Sequence, residues 1–181
     1  MRFYSGFSLR NEISFFERFI TYSDFCVAGF SYGAIRAFEI AYDDIKNSKR
    51  VDTLQLFSPA FFQTLDKKFH KLQMLGYMKN KESYLDEFLT TCFLPLDICK
   101  VERIETTKEQ LVELLEYEWI VDKFVFLQNA GVKIEVYLGG NDKVIDVNNA
   151  KEFFLQVADV SYIKGANHFL QEPYNKFEGF R

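Results

Sequence analysis

The order of apolar and polar residues along the chain predicts short strands that alternate with helices. Two short apolar runs, residues 1–4 and 25–28, have the character of strands. Between these strands, residues 10–22 are predicted to be helical. Their apolar positions recur three or four residues apart: Ile13, Phe16, Phe19 and Ile20. The first part of the chain therefore predicts a strand–helix–strand unit.

The same alternation continues on both sides of a long helical stretch. Further predicted elements are a helix at 33–47, strands at 51–57, 132–138 and 157–163, and a helix that Asp146 caps and that runs to about residue 156. Such alternation predicts an α/β fold, with a mostly parallel sheet flanked by helices.

The stretch between residues about 60 and 118 interrupts this order. It has no convincing strand pattern, and its apolar spacing predicts several amphipathic helices. Open α/β sheets bind their ligands at the carboxyl ends of the strands, so we expect residues 60–118 to form a helical cap over those ends. Residues 1–59 and 119–181 would form the core, and core and cap together would be one structural domain.

Composition narrows the function classes. The chain has 181 residues, 48% of them hydrophobic, and a formal net charge of −4, which disfavours nucleic acid as a partner. It contains no long apolar run, begins directly with a strand-like segment, and has three cysteines without metal-ligand spacing. We therefore expect a cytoplasmic protein that does not associate with membranes and keeps its thiols reduced.

The segment Gly29-Phe30-Ser31-Tyr32-Gly33 has the pattern of a nucleophile elbow. A predicted strand precedes it and a predicted helix follows, so Ser31 would lie on a tight turn that exposes its hydroxyl. Glycines two residues before and two residues after the serine would keep the neighbouring backbone from clashing. This context predicts Ser31 as a catalytic nucleophile.

A serine nucleophile needs an imidazole base, and the sequence contains only His70 and His168. His168 follows the last predicted strand and would lie at the same sheet edge as the elbow. Its alternative role is to cap the next helix, whereas His70 falls in the lysine-rich part of the predicted cap. We predict His168 as the base.

The acid that orients the base should follow a strand between the serine and the histidine. Asp142, at the end of the 132–138 strand, has this position, and Asp146 is the alternative, explained more simply as a helix cap. The resulting order Ser31, Asp142, His168 is that of an α/β-hydrolase. Such a constellation needs only protein groups and water, so no metal or cofactor is implied.

An oxyanion hole requires two backbone donors. We predict the amide of Tyr32, directly after the nucleophile, and the amide of Phe7, in the loop after the first strand. The side chains of both residues would flank an acyl pocket. In the alternative interpretation, Ser5-Gly6 is only a tight turn.

Several segments resemble one family within the α/β-hydrolase superfamily: the compact pimeloyl-[acyl-carrier protein] methyl ester esterases of biotin synthesis. They are the opening residues 1–7, the strand end Phe57-Ser58-Pro59 and residues 131–136. The elbow, the acid loop 138–144 and the histidine loop 167–170 resemble those of α/β-hydrolases in general. The resemblance implies hydrolysis of the methyl ester of pimeloyl-acyl carrier protein, with Ser31 as nucleophile, His168 as base and Asp142 as orienting acid. We expect two departures from the wider hydrolase fold: the two strands that usually come before the oxyanion strand would be absent, and Ser5-Gly6 stands where the oxyanion loop usually has His-Gly.

A basic segment of the predicted cap bears on the carrier protein. Residues 67–81 contain no Asp or Glu in an otherwise acidic chain and carry five lysines: Lys67, Lys68, Lys71, Lys79 and Lys81. These lysines could attract an acidic acyl carrier protein, or they could form an ordinary solvated helix face. Two other functions stay open, another esterase or thioesterase and a hydrolase-fold protein that binds a ligand without turnover.

Overall fold

The computed structural model describes residues 1–173. The strands are β1 (Arg2–Tyr4), β2 (Leu9–Arg10), β3 (Cys26–Phe30), β4 (Thr53–Phe57), β5 (Glu102–Arg103), β6 (Lys133–Gly139) and β7 (Asp159–Ile163). The α-helices are α1 (Tyr32–Lys46), α2 (Lys67–Lys79), α3 (Lys81–Phe93), α4 (Lys108–Glu116), α5 (Val121–Asn129) and α6 (Val147–Phe154). A short 3₁₀ helix spans Glu12–Phe16. The last residues of the predicted core, 174–181, lie outside the described residues.

Five strands form one parallel sheet in the order β1-β3-β4-β6-β7. Because all five run in the same direction, their carboxyl ends share one edge, and the loops that follow β1, β3, β6 and β7 meet there. The two remaining strands, β2 and β5, form a separate antiparallel pair of two residues each. This pair ties the segment after β1 to the segment between α3 and α4.

The hydrophobic core has two parts, one on each face of the sheet. Side chains alternate between them along the central strands, since Val27 and Leu56 belong to one cluster while Ala28 and Phe57 belong to the other. The first cluster takes its remaining members mainly from the helices. The second is rich in phenylalanine and includes Phe16, Phe30, Phe93 and Phe169. No helix in the described part of the chain is both long and apolar enough to cross a bilayer.

Most of the predicted elements are present; one predicted helix is wrong, and two elements are present that were not predicted. The predicted helix at 10–22 is wrong: only Glu12–Phe16 is helical, and it is a 3₁₀ helix. Beyond it, the backbone forms hydrogen bonds with the buried side chain of Gln55 in β4 instead of continuing as a helix. Gln55 accepts from the Thr21 amide at 2.8 Å and donates to the Phe19 carbonyl at 2.9 Å. Helix α5 was not predicted, and β5 is a short strand within the stretch for which only helices were expected.

Candidate active site

Ser31 lies on a strained turn between β3 and α1. Its backbone angles are φ 53° and ψ −116°, a conformation that non-glycine residues rarely adopt. The turn depends on both flanking glycines. A Cβ atom at Gly29 would lie 2.1 Å from the Gly33 carbonyl oxygen, and one at Gly33 would lie 2.0 Å from the Tyr4 carbonyl oxygen. The elbow is thus packed directly against the end of β1.

The structure brings Ser31, His168 and Asp142 together at the carboxyl edge of the sheet. His168 Nε2 lies 3.0 Å from Ser31 Oγ, and His168 Nδ1 lies 2.6 Å from Asp142 Oδ2. All three residues are buried, with His168 0% and Ser31 2% exposed. The imidazole therefore connects a hydroxyl on one side to a carboxylate on the other, the arrangement in which a serine can be activated.

The two candidate acids have different partners. Asp142 turns one oxygen to His168, while its Oδ1 accepts from the amides of Val144 at 2.7 Å and Ile145 at 3.3 Å. These bonds fix the orientation of the carboxylate. Asp146 instead caps α6 by accepting from the Asn149 amide at 3.3 Å.

The other histidine lies apart from this cluster. His70 is on α2, and its Nε2 is 3.4 Å from the Phe62 carbonyl oxygen. Among the described residues, no group of three or more His, Cys, Asp or Glu side chains is arranged to hold a metal ion.

Two backbone amides beside the cluster are available as donors. The Tyr32 amide is the first of α1 and has no acceptor within the helix. In the described part of the chain, the Phe7 amide donates to no protein oxygen. The Phe7 ring is buried and packs edge-on against the Tyr32 ring, with centroids 6.3 Å apart. The 5–8 loop and the elbow are therefore neighbours.

The side chain of Tyr32 connects the elbow to α4. Its hydroxyl donates to Glu113 Oε2 at 2.6 Å. Burial raises the pKa of Tyr32 to about 12, and the adjacent Glu113 carboxylate acts in the same direction. The phenol therefore stays protonated at neutral pH and holds α4 against the turn that carries Ser31.

A pocket of about 310 Å³, lined by both apolar and polar side chains, lies between the 5–8 loop, the 138–144 loop that carries Asp142, and helices α2, α3 and α4. This volume is at the lower end of the usual range for small-molecule sites. Phe7 and Val144 line the pocket from the core, and Phe62, Phe69 and Phe88 are among the residues that close it. Ser31, His168 and Tyr32 are not among its lining residues, and Tyr32 borders a separate cavity of about 130 Å³ beside the 5–8 loop.

The predicted basic segment corresponds to α2 and the first residue of α3. Four of its lysines, Lys67, Lys68, Lys71 and Lys79, are exposed and form no ion pair with the described residues. Lys81 differs, since its Nζ lies 2.5 Å from Glu105 Oε2. Lys67 and Lys71 border an outer groove whose other lining residues include Met74, Met78, Lys108, Glu116 and Glu118.

Glu12, which lies against the 5–8 loop, was not predicted as a site residue. Its Oε1 accepts from the Gly6 amide at 2.7 Å, and the side chain is fully buried. A signal for it exists in the sequence, because Glu12 precedes Phe16 by four residues and so interrupts the apolar stripe of the predicted helix.

Comparison with known proteins gives matches in structure alone. No protein-family model matches the chain, and no curated protein matches its sequence. The naproxen esterase of Bacillus subtilis is 17% identical over 80% of this chain and 53% of its own, with a TM-score of 0.54. BioG from Haemophilus influenzae is 11% identical over 93% of this chain and 87% of its own, with a TM-score of 0.54. Est816, described as an N-acyl homoserine lactone degrading enzyme, is 13% identical over 92% and 85%, with a TM-score of 0.59.

These likenesses show the fold. The chain has the α/β-hydrolase fold, and the predicted fold class, a mostly parallel sheet flanked by helices, is confirmed. The chain spans 53% of the naproxen esterase and 60% of a bromoperoxidase from Bacillus anthracis, so it corresponds to little more than half of these larger proteins.

Proposed function

We propose that the chain is a serine carboxylesterase. The observation that carries this proposal is the continuous contact from Ser31 Oγ through His168 to Asp142, at 3.0 Å and 2.6 Å. Together, these groups can activate a serine for acyl transfer: the serine lies on a strained turn, the base is buried, and the carboxylate is held in a fixed orientation. The structural likeness to several esterases supports the same class of reaction.

We propose the following roles for these residues. Ser31 Oγ attacks the ester carbonyl carbon, and His168 Nε2 takes the hydroxyl proton. Asp142 keeps the imidazole in the tautomer whose Nε2 can accept that proton. The amides of Phe7 and Tyr32 stabilise the oxyanion of the tetrahedral intermediate. His168 then protonates the departing alcohol, and water cleaves the acyl-enzyme by the same sequence of proton transfers.

We infer that the substrate is the methyl ester of pimeloyl-acyl carrier protein, and that the reaction releases methanol within biotin biosynthesis. The sequence resemblance supports this substrate. The pocket beside Phe7 and Val144 has a volume of about 310 Å³, which suits a short acyl chain and leaves little room for a bulky group.

The exposed lysines of α2 support the carrier protein as partner. The chain is acidic overall, yet Lys67, Lys68 and Lys71 lie together at the start of α2. A local positive surface on an acidic protein would orient an acidic carrier toward the cap.

Hydrolysis of methyl-pimeloyl-acyl carrier protein by the purified chain tests the proposal, with Ser31→Ala and a p-nitrophenyl ester as controls. We expect cleavage that Ser31→Ala lowers by up to about 10⁶-fold. Cleavage of the p-nitrophenyl ester alone would keep the esterase and reject the substrate. A chain that cleaves neither ester and does not react with a fluorophosphonate at Ser31 would be a binding protein.

A matched pair of variants tests whether the lysines of α2 bind the carrier protein. Lys71→Glu should raise KM for the carrier-bound ester by about threefold or more and leave the p-nitrophenyl ester unaffected. Lys46→Glu is the control, because it makes the same change of charge at the C-terminal end of α1, far from Ser31. Equal effects of the two variants on the carrier-bound ester would remove α2 from recognition.

A further inference from the structure

A buried carboxyl group lies against the 5–8 loop. Glu12 is 0% exposed, and its Oε1 accepts from the Gly6 amide at 2.7 Å. Its second oxygen, Oε2, has no hydrogen-bond partner among the described residues. Burial of a polar oxygen without a partner costs stability, and the cost is larger for a charged group than for a neutral one. An apolar side chain would serve packing better at this position.

The group that Glu12 binds lies directly before a proposed oxyanion donor. The Gly6 amide and the Phe7 amide belong to successive peptide planes, so fixing the first restricts the second. Elsewhere the loop is held by the Leu9 amide on the Gly6 carbonyl at 3.2 Å and by the Ile104 amide on the Ser8 carbonyl at 2.9 Å. Neither of these bonds uses the Gly6 N–H. Among the described residues, Glu12 is its acceptor.

We infer that Glu12 is a positioning residue of the oxyanion hole: its carboxyl oxygen holds the Gly6 amide so that the Phe7 amide faces Ser31. The inference rests on the proposed function. It also explains why a buried carboxyl with an unpartnered oxygen is present here, since an acceptor for Gly6 is required at this point of the loop. Glu12 itself does not touch the substrate.

Three variants separate this role from packing. Glu12→Met keeps the length of the side chain and removes the oxygen acceptor. Glu12→Gln keeps one acceptor oxygen for Gly6. Glu17→Ala is the control, because Glu17 is exposed in the same segment. With a p-nitrophenyl ester, we expect Glu12→Met to lower kcat by about 10- to 100-fold and to change KM by less than about twofold, because loss of a whole oxyanion donor costs about 10²–10³.

The conservative variant provides the rescue. Glu12→Gln should recover most of the activity that Glu12→Met loses, while the melting temperatures of the two variants stay within a few degrees of each other. Equal kcat values for Glu12→Met and wild type would overturn the inference. Equally low kcat values for Glu12→Gln and Glu12→Met would also overturn it.

A second readout does not depend on activity. Hydrogen exchange of the Gly6 amide should be slow in wild type and in Glu12→Gln, and at least about tenfold faster in Glu12→Met. If the chain hydrolyses no ester, the proposed function fails while this measurement still tests the contact. If esters are cleaved normally and the Gly6 amide exchanges equally in all variants, the inference about Glu12 fails and the esterase stands.

Discussion

Replacing Asp142 with asparagine tests the role of the acid at the level of single atoms. Asp142 Oδ1 accepts two backbone amides, from Val144 at 2.7 Å and Ile145 at 3.3 Å. In Asp142→Asn, the amide oxygen should keep this position, because turning the NH₂ group there would oppose two N–H donors. The NH₂ group of the new residue would then face His168 Nδ1 and donate to it.

That contact selects the unproductive tautomer of His168. With Nδ1 accepting, the ring proton moves to Nε2, which lies 3.0 Å from Ser31 Oγ and can then only donate to it. The base is lost although the shape of the site is kept. In triads of this type the wrong tautomer lowers kcat by about 10⁴-fold. At about 1.36 kcal/mol per factor of ten, this is about 5.4 kcal/mol of transition-state stabilisation.

Steady-state hydrolysis of a p-nitrophenyl ester measures the effect, and Asp146→Asn is the matched control. Asparagine caps helices about as well as aspartate, so Asp146→Asn should keep kcat within about twofold of wild type. A thermal melt of each variant checks that the fold is intact. A kcat for Asp142→Asn within tenfold of wild type would refute the reasoning, and so would a larger loss in Asp146→Asn.

Three further predictions concern other contacts. Gly33→Ala places a methyl group 2.0 Å from the Tyr4 carbonyl oxygen, so we expect a lower melting temperature and at least about a 100-fold loss of esterase activity; normal values of both would contradict the close packing. Tyr32→Phe removes the 2.6 Å bond to Glu113 and should lower the melting temperature by about 2–4 °C, for a loss of about 1 kcal/mol, as a thermal melt would detect. Burial raises the pKa of Glu12 above its ordinary value of 4.5. The folded chain therefore binds more protons than the unfolded chain above pH 4.5, and its stability falls as the pH rises from that value. Glu12→Gln should flatten this pH dependence, measured as the free energy of unfolding in urea at pH values above 4.5. An unchanged dependence would contradict a raised pKa of Glu12.

Much of the fold could be predicted because its signals are local. The strand before Ser31 and the helix after it follow from a short apolar run and a glycine-flanked turn. The relative placement of Asp142 and His168 follows from the rule that parallel strands share one carboxyl edge. Loop position alone could therefore place these three residues close together before any distance was known.

The parts that could not be predicted depend on distant contacts or lack end signals. The predicted helix at 10–22 stops early because Gln55, far along the chain, binds the backbone of residues 19 and 21. Helix α5 begins without a side-chain cap at Ile120, so its start has no local signature. The contact between Glu12 and Gly6 depends on a loop conformation, and the sequence specifies only the residue types.

The order of the sheet places the proposed catalytic triad and the 5–8 loop after different strands. The serine, the acid and the histidine follow β3, β6 and β7, which lie within four adjacent strands and span about 14 Å at about 4.8 Å per neighbour. The edge strand β1 carries the 5–8 loop and none of these three residues. For enzyme design, the 5–8 loop with the proposed donor Phe7 is therefore attached separately from the proposed proton relay, while the second proposed donor, Tyr32, stays with the elbow. Directed evolution of the 5–8 loop could change which acyl groups are accepted while the relay is left as it is.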